Sequence, residues 1–464
     1  MIGVVLTFQA VVWLALSYLF MRSRGGSIFH PFTYYLVFHG IVFVVIPALG
    51  YIFNFQVAYY YMWFYPTEGQ IIFTLWLTMV ALLAFALFGW ILDPTVPNLD
   101  RPTPDGFNAE EWRAYVVLAV ALSPLILYSM YKAFGSGLGG EALIQMDRDP
   151  LTGIAVNTNT SGYVTDAQNA LIPLCLMLIW GTRFRRWSFV PLVAYLALKL
   201  YVGWGRWTII LTVAMLGLLV LTHMKKRWVP LYFFVIGLPL FIAFQQLGAN
   251  RDFFKEVLTG ESTAATTTYD RWVDRFDGLD FANFDYLTYV VDIVPAQSGT
   301  YSYFTQYLQI FTEPIPRILW PGKPFGPPID LVNLNAYGNF LGLTVSIVGD
   351  GWISGGWLGV VITLALVGFI TTRVHRWFWR GEATNFKVLV YCIFLPLTIQ
   401  WFRDGGISIS KFVFETVGIV FMWRALIWAI QAASGKQHRS EGVATTRMQM
   451  ASVPSGARPL DDRT

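Results

Sequence analysis

The chain has 464 residues and a formal charge of +4, with 55% hydrophobic and only 13% charged residues. Soluble domains carry about 25% charged residues, so this composition excludes a water-soluble globule. The small, dispersed excess of base over acid gives no argument for nucleic acid, whereas 19 Trp, 23 Tyr and 37 Phe suit the interfacial aromatic belts of a polytopic membrane protein.

A membrane-crossing helix needs roughly 20 mostly apolar residues. On that criterion the sequence predicts eleven crossings: 2–20, 32–50, 70–92, 114–133, 168–183, 187–203, 207–222, 228–246, 352–371, 388–403 and 412–430. The segments 168–183 and 187–203 are short. Arg22 and Arg24 follow the first segment and no base precedes it, which is the reverse of a cleavable signal peptide and places the N-terminus outside. Lys and Arg then concentrate in the short cytoplasmic loops, from Arg22 to Lys387, while the short outer segments hold Lys132, Arg148, Arg206, Arg403 and Lys411. The expected organisation is all-α: about 11 transmembrane helices, eight of them in 1–246 and three in 351–430. A large periplasmic loop, 247–350, separates helices 8 and 9, and a Ser-, Ala- and Gly-rich cytoplasmic tail, 431–464, is expected to be disordered. The two cysteines, Cys175 and Cys392, sit inside apolar stretches, so neither a disulfide framework nor a thiolate metal site is available.

The outer loop is the departure from this pattern. Within it, 269–294 alternates apolar Trp272, Phe276, Leu279 and Phe284 with Asp270, Asp274, Asp277 and Asp285, which predicts a helix lying along the membrane surface. The stretch 314–328 is held extended by its prolines. Loops this long usually fold or function.

The candidate chemistry collects on the outer face. Arg206, in a tight Gly-containing turn between two crossings, stands at the membrane boundary, where an ionisable residue is by default functional; a snorkelling arginine is the competing reading. Arg403 and Asp404 occupy another short outer turn at the same level, and a local ion pair is their simpler reading. Two permanent cations beside apolar surface are what a lipid-linked pyrophosphate needs. Arg148, between Asp147 and Asp149, reads more simply as part of a solvated loop. Lys199 reads as a snorkelling lysine. No histidine reaches the outer face: His223, His375 and His438 are cytoplasmic, His30 sits near the inner face and His39 lies mid-helix. A base working outside must therefore be a carboxylate, and the candidates are Asp350, Glu415 and Asp404, with helix capping as the alternative role of Asp350. Trp320, Trp272 and Tyr337 are the sugar-stacking candidates, although interfacial anchoring explains aromatics equally well.

Four stretches taken together resemble the Wzy-type O-antigen and enterobacterial common antigen polymerases: Gly203-Trp-Gly-Arg-Trp-Thr-Ile-Ile210, Pro316-Arg-Ile-Leu-Trp-Pro-Gly-Lys-Pro324, Gly349-Asp-Gly351 and Arg403-Asp-Gly405. The resemblance implies a GT-C-like, metal-independent glycosyltransferase without a cofactor. It would join undecaprenyl-pyrophosphate-linked oligosaccharides, as donor and acceptor, at the periplasmic face of the bacterial inner membrane, with a chain-length regulator as a further partner. By position it implies that Arg206 and Arg403 face the pyrophosphate, with Lys323 where relatives carry Lys or Arg and Asp350 where many carry an acid. Arg317 and Arg148 are the remaining outer cations assigned to the pyrophosphate. The Gly-Trp-Gly before Arg206 departs from the commoner Gly-Gly-Thr or Gly-Ser. An O-antigen ligase shares the donor and arginines but is disfavoured by the missing outer histidine. A flippase predicts charges through the bilayer, which the sequence nearly lacks.

This topology predicts that cysteines introduced at Ala264 and Pro328 react with an impermeant maleimide added outside, and that one at Gly435 does not. The reverse labelling overturns the outer-face assignment of every candidate residue.

Overall fold

The computed structural model describes residues 1–134, 146–148, 155–157, 166–202, 206–231, 233, 235, 237 and 271–451 apart from 313–314, 316–318, 321, 324–327 and 339–342. The side chains of 132–134, 146–148, 155–157, 202, 206, 408 and 434–451 fall outside that description. Among the described residues the fold is helical, with one two-stranded exception: an antiparallel pair of three-residue strands, β1 (Met146–Arg148) and β2 (Ala155–Asn157).

The helices in chain order are α1 (Ile2–Arg22), α2 (Pro31–Phe53), α3 (Val57–Met62), α4 (Glu68–Ile91), α5 (Ala109–Phe134), α6 (Ala167–Gly181), α7 (Val190–Val202), α8 (Arg206–His223), α9 (Asn283–Ile293), α10 (Ser346–Trp379), α11 (Asn385–Asp404) and α12 (Gly406–Ala451). Seven helices among the described residues are long and apolar enough to cross a membrane: α1, α2, α4, α5, α10, α11 and α12; α6 and α8 are apolar but shorter. The chain is an α-helical membrane protein. The expectation of eleven full-length crossings is thus only partly matched. Predicted segments 168–183 and 187–203 each begin with a single 3-10 turn, leaving α-helices of 11 and 13 residues. Most of 228–246 lies outside the described residues. Helix α12 continues past the last predicted crossing to Ala451, so the tail expected to be disordered starts as helix; its Gln, Ala, Arg and Met are good helix formers.

Local sequence explains the helix boundaries. Thr67 accepts from the Gln70 N–H while Gln70 reaches back to the Thr67 N–H, a capping box that starts α4. Thr384 accepts from the Lys387 N–H to start α11. Helix α2 has Pro31 at its first turn and takes its cap from an imidazole, His30 Nδ1 accepting from the Phe32 N–H at 3.1 Å. The bundle core is aromatic: Tyr35 stacks on Phe85 at 4.3 Å between ring centres and meets Phe402 edge-on, bringing α2, α4 and α11 together. Each such pair adds roughly 0.5–1.5 kcal/mol beyond the area it buries.

Helix α10 corrects the expected ninth crossing. It is broken at Gly355–Gly356, and Gly356 takes φ +59°, a left-handed conformation that glycine adopts without penalty. A Cβ on Gly351 would lie 2.7 Å from Val360 Cα, and one on Gly359 would run into the Gly351 carbonyl. Residues eight apart in a continuous helix stand about 12 Å apart, so the chain reverses here. Residues 346–354 form a short re-entrant arm lying along the long arm, 357–379. The Gly-Asp-Gly motif therefore sits on the re-entrant arm and not where the crossing begins. The carbonyls freed at the break are satisfied by the loop that precedes α10: the Ser302 and Tyr303 N–H groups donate to the Ile353 and Ser354 carbonyls at 2.8 and 3.1 Å.

The surface helix expected over 269–294 is also corrected. Residues 272–276 and 279–281 form 3-10 turns and only α9 is α-helical, with Phe284, Tyr286, Leu287 and Val290 buried against protein. The acid–apolar alternation builds a docked layer because neighbouring helix ends supply an apolar platform under it.

Two glycines distinguish hairpin packing from mere flexibility. Gly359→Ala is expected to lower the thermal stability of the detergent-solubilised protein, overpacking costing about 1–3 kcal/mol. Gly355→Ala, whose added Cβ meets nothing within 4 Å, is expected to change it far less. Equal melting curves for the two variants would contradict the hairpin.

Candidate functional site

The ends of α8, α11 and α12, the re-entrant arm of α10 and the start of α9 meet at one end of the bundle. Asp350 is the meeting point. Its Oδ2 accepts from the Gly406 N–H at 2.7 Å, the first residue of α12, and from the Tyr307 hydroxyl at 3.3 Å. A carboxylate at a helix start is favoured by the orphan N–H groups and the helix dipole. Gly405, at φ +87°, has no room for a Cβ because Asp350 fills that space. The expectation of capping was thus correct in kind, but the helix capped is α12, 56 positions away, and not the arm that carries Asp350. The hydrogen bonds formed by described residues fall on Oδ2.

Arg403 ends α11 and is 9% exposed. Its guanidinium carbon stands 4.3 Å from the centre of the Trp207 ring, and Nη1 pairs with Asp404 Oδ1 at 3.1 Å. Its carbonyl accepts from Asn283 Nδ2 and Thr344 Oγ1, both at 3.1 Å. The expected Arg403–Asp404 ion pair is present. It does not exclude a ligand role, because the guanidinium has five donors. Arg206 opens α8 immediately before Trp207, so the backbone brings the two expected arginine positions to the same mouth; the Arg206 side chain is outside the described residues.

A second polar cluster lies behind this mouth. Glu415 Oε2 accepts from Asn169 Nδ2, and Asn169 Oδ1 accepts from Lys199 Nζ, both at 3.1 Å. Glu415, Asn169 and Lys199 are 7%, 4% and 4% exposed. Lys199 therefore does not snorkel: it turns inward to an amide that separates it from the carboxylate. Glu415 and Asp350 are both buried, at 7% and 9% exposed. Lys411 pairs with Asp166 beside them.

The other expected residues are not gathered here. Lys323 is half-buried and donates to the Ile315 carbonyl at 3.2 Å. Trp272 is largely exposed, Trp320 is half-buried, and the Tyr337 hydroxyl donates to the Gln297 carbonyl at 3.4 Å. No contact joins the three into one platform among the described residues, because the segments carrying them are anchored separately. Arg317 and the Arg148 side chain lie outside the described residues, as does most of the proline-rich stretch. Sequence reasoning gave no role to Asn283, Trp207 and Asn169. Of these only Trp207, flanking Arg206, carried a local signal.

The layer formed by 271–293 docks through carboxylates. Asp277 accepts from the Gln56 and Val57 N–H groups, each at 3.0 Å, at the start of α3. Burial pushes the Asp285 carboxyl up to about 7; a Tyr59 hydrogen bond opposes this and nearby Asp277 adds to it. Comparison with known proteins returned no matching family model, no matching curated protein and no matching solved structure.

An acid whose docked-state value is raised binds its proton preferentially when docked, so its contribution is full below the ordinary carboxylate range and lost as pH rises to about 7. Exchange protection of α3 and α9, corrected for intrinsic rate, is expected to fall between pH 4.5 and pH 7.5. Asp285→Asn is expected to flatten that dependence; an unchanged slope would show that Asp285 is not its source.

Proposed function

We propose that the protein is a membrane glycosyltransferase of GT-C-like architecture. It polymerises undecaprenyl-pyrophosphate-linked oligosaccharide repeat units at the periplasmic face of the bacterial inner membrane, toward O-antigen or a related surface polysaccharide. The observation that carries this reading is the convergence of Arg403, the α8 start at Arg206 and the Asp350 carboxylate on one mouth at the ends of apolar helices. A polar head with a long apolar tail matches such a mouth: the pyrophosphate meets guanidinium donors and the polyprenyl chain stays in lipid.

The reaction then follows from these groups. A hydroxyl oxygen of the incoming repeat unit attacks the anomeric carbon of the growing glycan. The bond from that carbon to the pyrophosphate oxygen breaks, and the polyprenyl pyrophosphate leaves with the electron pair. Positive charge grows on the sugar ring, as in glycoside hydrolysis. Arg403 and Arg206 stabilise the negative charge growing on the leaving group, where losing one such donor costs about 3–4 kcal/mol of barrier. The hydroxyl proton passes to Asp350 Oδ1. Tyr307 and the Gly406 N–H hold the carboxylate in place through Oδ2, and the stacked Trp207 ring keeps the Arg403 fork from swinging away.

Purified protein incubated with lipid-linked repeat units is expected to give a ladder on a gel. Arg403→Ala is expected to abolish the ladder, with Arg403→Lys a poor rescue because an ammonium cannot reproduce the planar fork. Asp350→Asn is expected to lower turnover by roughly two to four orders of magnitude while lipid binding persists. Near-wild-type ladders from Arg403→Ala would remove that arginine from the site. Normal turnover by Asp350→Asn together with loss in Glu415→Gln would move the base to Glu415.

A further inference from the structure

At the other end of α10, about 27 Å along its long arm, lies a buried cluster that the proposed reaction does not use. Asp93, just past α4, joins three separate segments. Its Oδ2 accepts from His375 Nδ1 at 2.9 Å and lies 3.7 Å from His30 Nε2. Its Oδ1 accepts from Arg376 Nε at 2.9 Å and from the Thr95 N–H at 3.0 Å. His30 and His375 are wholly buried with ring centres 4.6 Å apart. Neither His30 Nε2 nor His375 Nε2 has a hydrogen-bond partner among the described residues.

Two imidazoles and a carboxylate this close suggest a metal ion, and their ligand atoms all lie within 4.8 Å of one another. The hydrogen bonds decide otherwise. His30 Nδ1 accepts the Phe32 N–H that caps α2, so its lone pair is committed and Nε2 carries the ring proton. That nitrogen cannot ligate. His375 Nδ1 is committed as donor to Asp93, which leaves one lone pair, on His375 Nε2. One imidazole nitrogen beside an already paired carboxylate is not a metal site.

We propose instead that His30, Asp93 and His375 form a proton-operated latch that clamps the connection between α1 and α2 to the end of α10, closed only while both imidazoles are neutral. The geometry gives each proton a structural consequence. A proton added to His30 must sit on Nδ1, where it displaces the Phe32 N–H and uncaps α2. A proton added to His375 must sit on Nε2, a buried position with no acceptor, beside Arg376. The charged or titratable groups facing the pair are few: Asp93 and Arg376 directly, then Tyr34, Tyr391, Cys392 and Arg101 around them. Arg101 is committed to the Phe378 carbonyl and the Phe378 and Trp379 rings. Among the described residues only Asp93 faces the pair as an anion, and Arg376 already balances its single negative charge.

Acid-insensitive contacts hold the rest of the clamped segment, so the opening is local to the His30 cap and the start of α2. Arg227 donates to the carbonyls of Ser23, Arg24 and Gly26, and the Tyr391 hydroxyl to that of Phe29. An open cleft of about 420 Å³, lined by Ser23, Arg24, Trp90, Asp93 and Thr95, brings solvent beside the cluster, while the Asp93 carboxylate itself is fully buried. Burial, then the neighbouring His375, holds His30 well below the usual imidazole range, against Asp93. For such a base the open state takes up the proton first. The closed state is fully favoured above about pH 6.5 and loses ground as pH falls below it.

Hydrogen exchange of the intact protein in detergent, corrected for intrinsic rate, tests the latch. Peptides covering 27–39 are expected to lose protection at least tenfold between pH 7.5 and pH 5.5, while α11 peptides do not. His30→Asn keeps a capping acceptor but cannot take a proton, so it is expected to retain protection at pH 5.5. His30→Asn with His375→Gln is expected to abolish the pH response. If that double variant does not fold, His30→Asn alone must shift the midpoint to lower pH. Asp93→Asn is expected to open the segment at both pH values. A flat wild-type response, or a response unchanged in the His30 variant, overturns the latch. So does one equivalent of zinc retained against a chelator, which would make the cluster a metal site.

Discussion

A carboxylate placed among apolar helices cannot be left to its own devices, and the architecture follows from how Asp350 is satisfied. In low dielectric an unpaired charge or polar group costs several kcal/mol. Asp350 finds its partners in the Gly406 N–H and the Tyr307 hydroxyl. To reach them, the arm carrying it must lie beside the α11–α12 turn, which requires the reversal at Gly355–Gly356. The reversal frees carbonyls, which in turn require the loop at Ser302 and Tyr303 to enter the bundle. One buried carboxylate thereby fixes the re-entrant arm, the seat of the outer layer and the angle between α11 and α12.

The same economy governs the cations. Arg403 is stacked on Trp207 and paired with Asp404, while Lys199 reaches an amide and Lys411 an aspartate. The positive groups at this mouth are thus held in place before any ligand arrives. Preorganised donors in a partly dry site are worth far more to a developing charge than mobile ones in water. At the other end of α10 Asp93 accepts from His375, Arg376 and Thr95, and Arg376 already balances its single negative charge.

Particular residues show where sequence reading stopped. Arg403 and Arg206 were legible because a permanent cation between two apolar runs has few explanations. Lys199 was misread because a lysine near a helix end usually snorkels, and only the position of Asn169, on another helix, turns it inward. The acid–apolar alternation of 269–294 has the right period for a surface helix. Whether that face meets lipid or protein is set by what stands beneath it, and here α4 and α10 do. His30, Asp93 and His375 are 63 and 282 positions apart from one to the next, so no local spacing announces them.

By itself the sequence determined that this chain lives in a membrane, roughly where its helices run, and which residues are too charged for their surroundings to be incidental. Those are properties of composition and of hydrophobic runs, which depend on neighbours a few positions away. Only the tertiary structure decided that Gly-Asp-Gly lies on a re-entrant arm, that Asp350 caps a helix it does not belong to, and that two imidazoles share one aspartate. Each of these rests on contacts between distant segments, and such contacts are fixed by close packing of the whole bundle and not by any stretch within it.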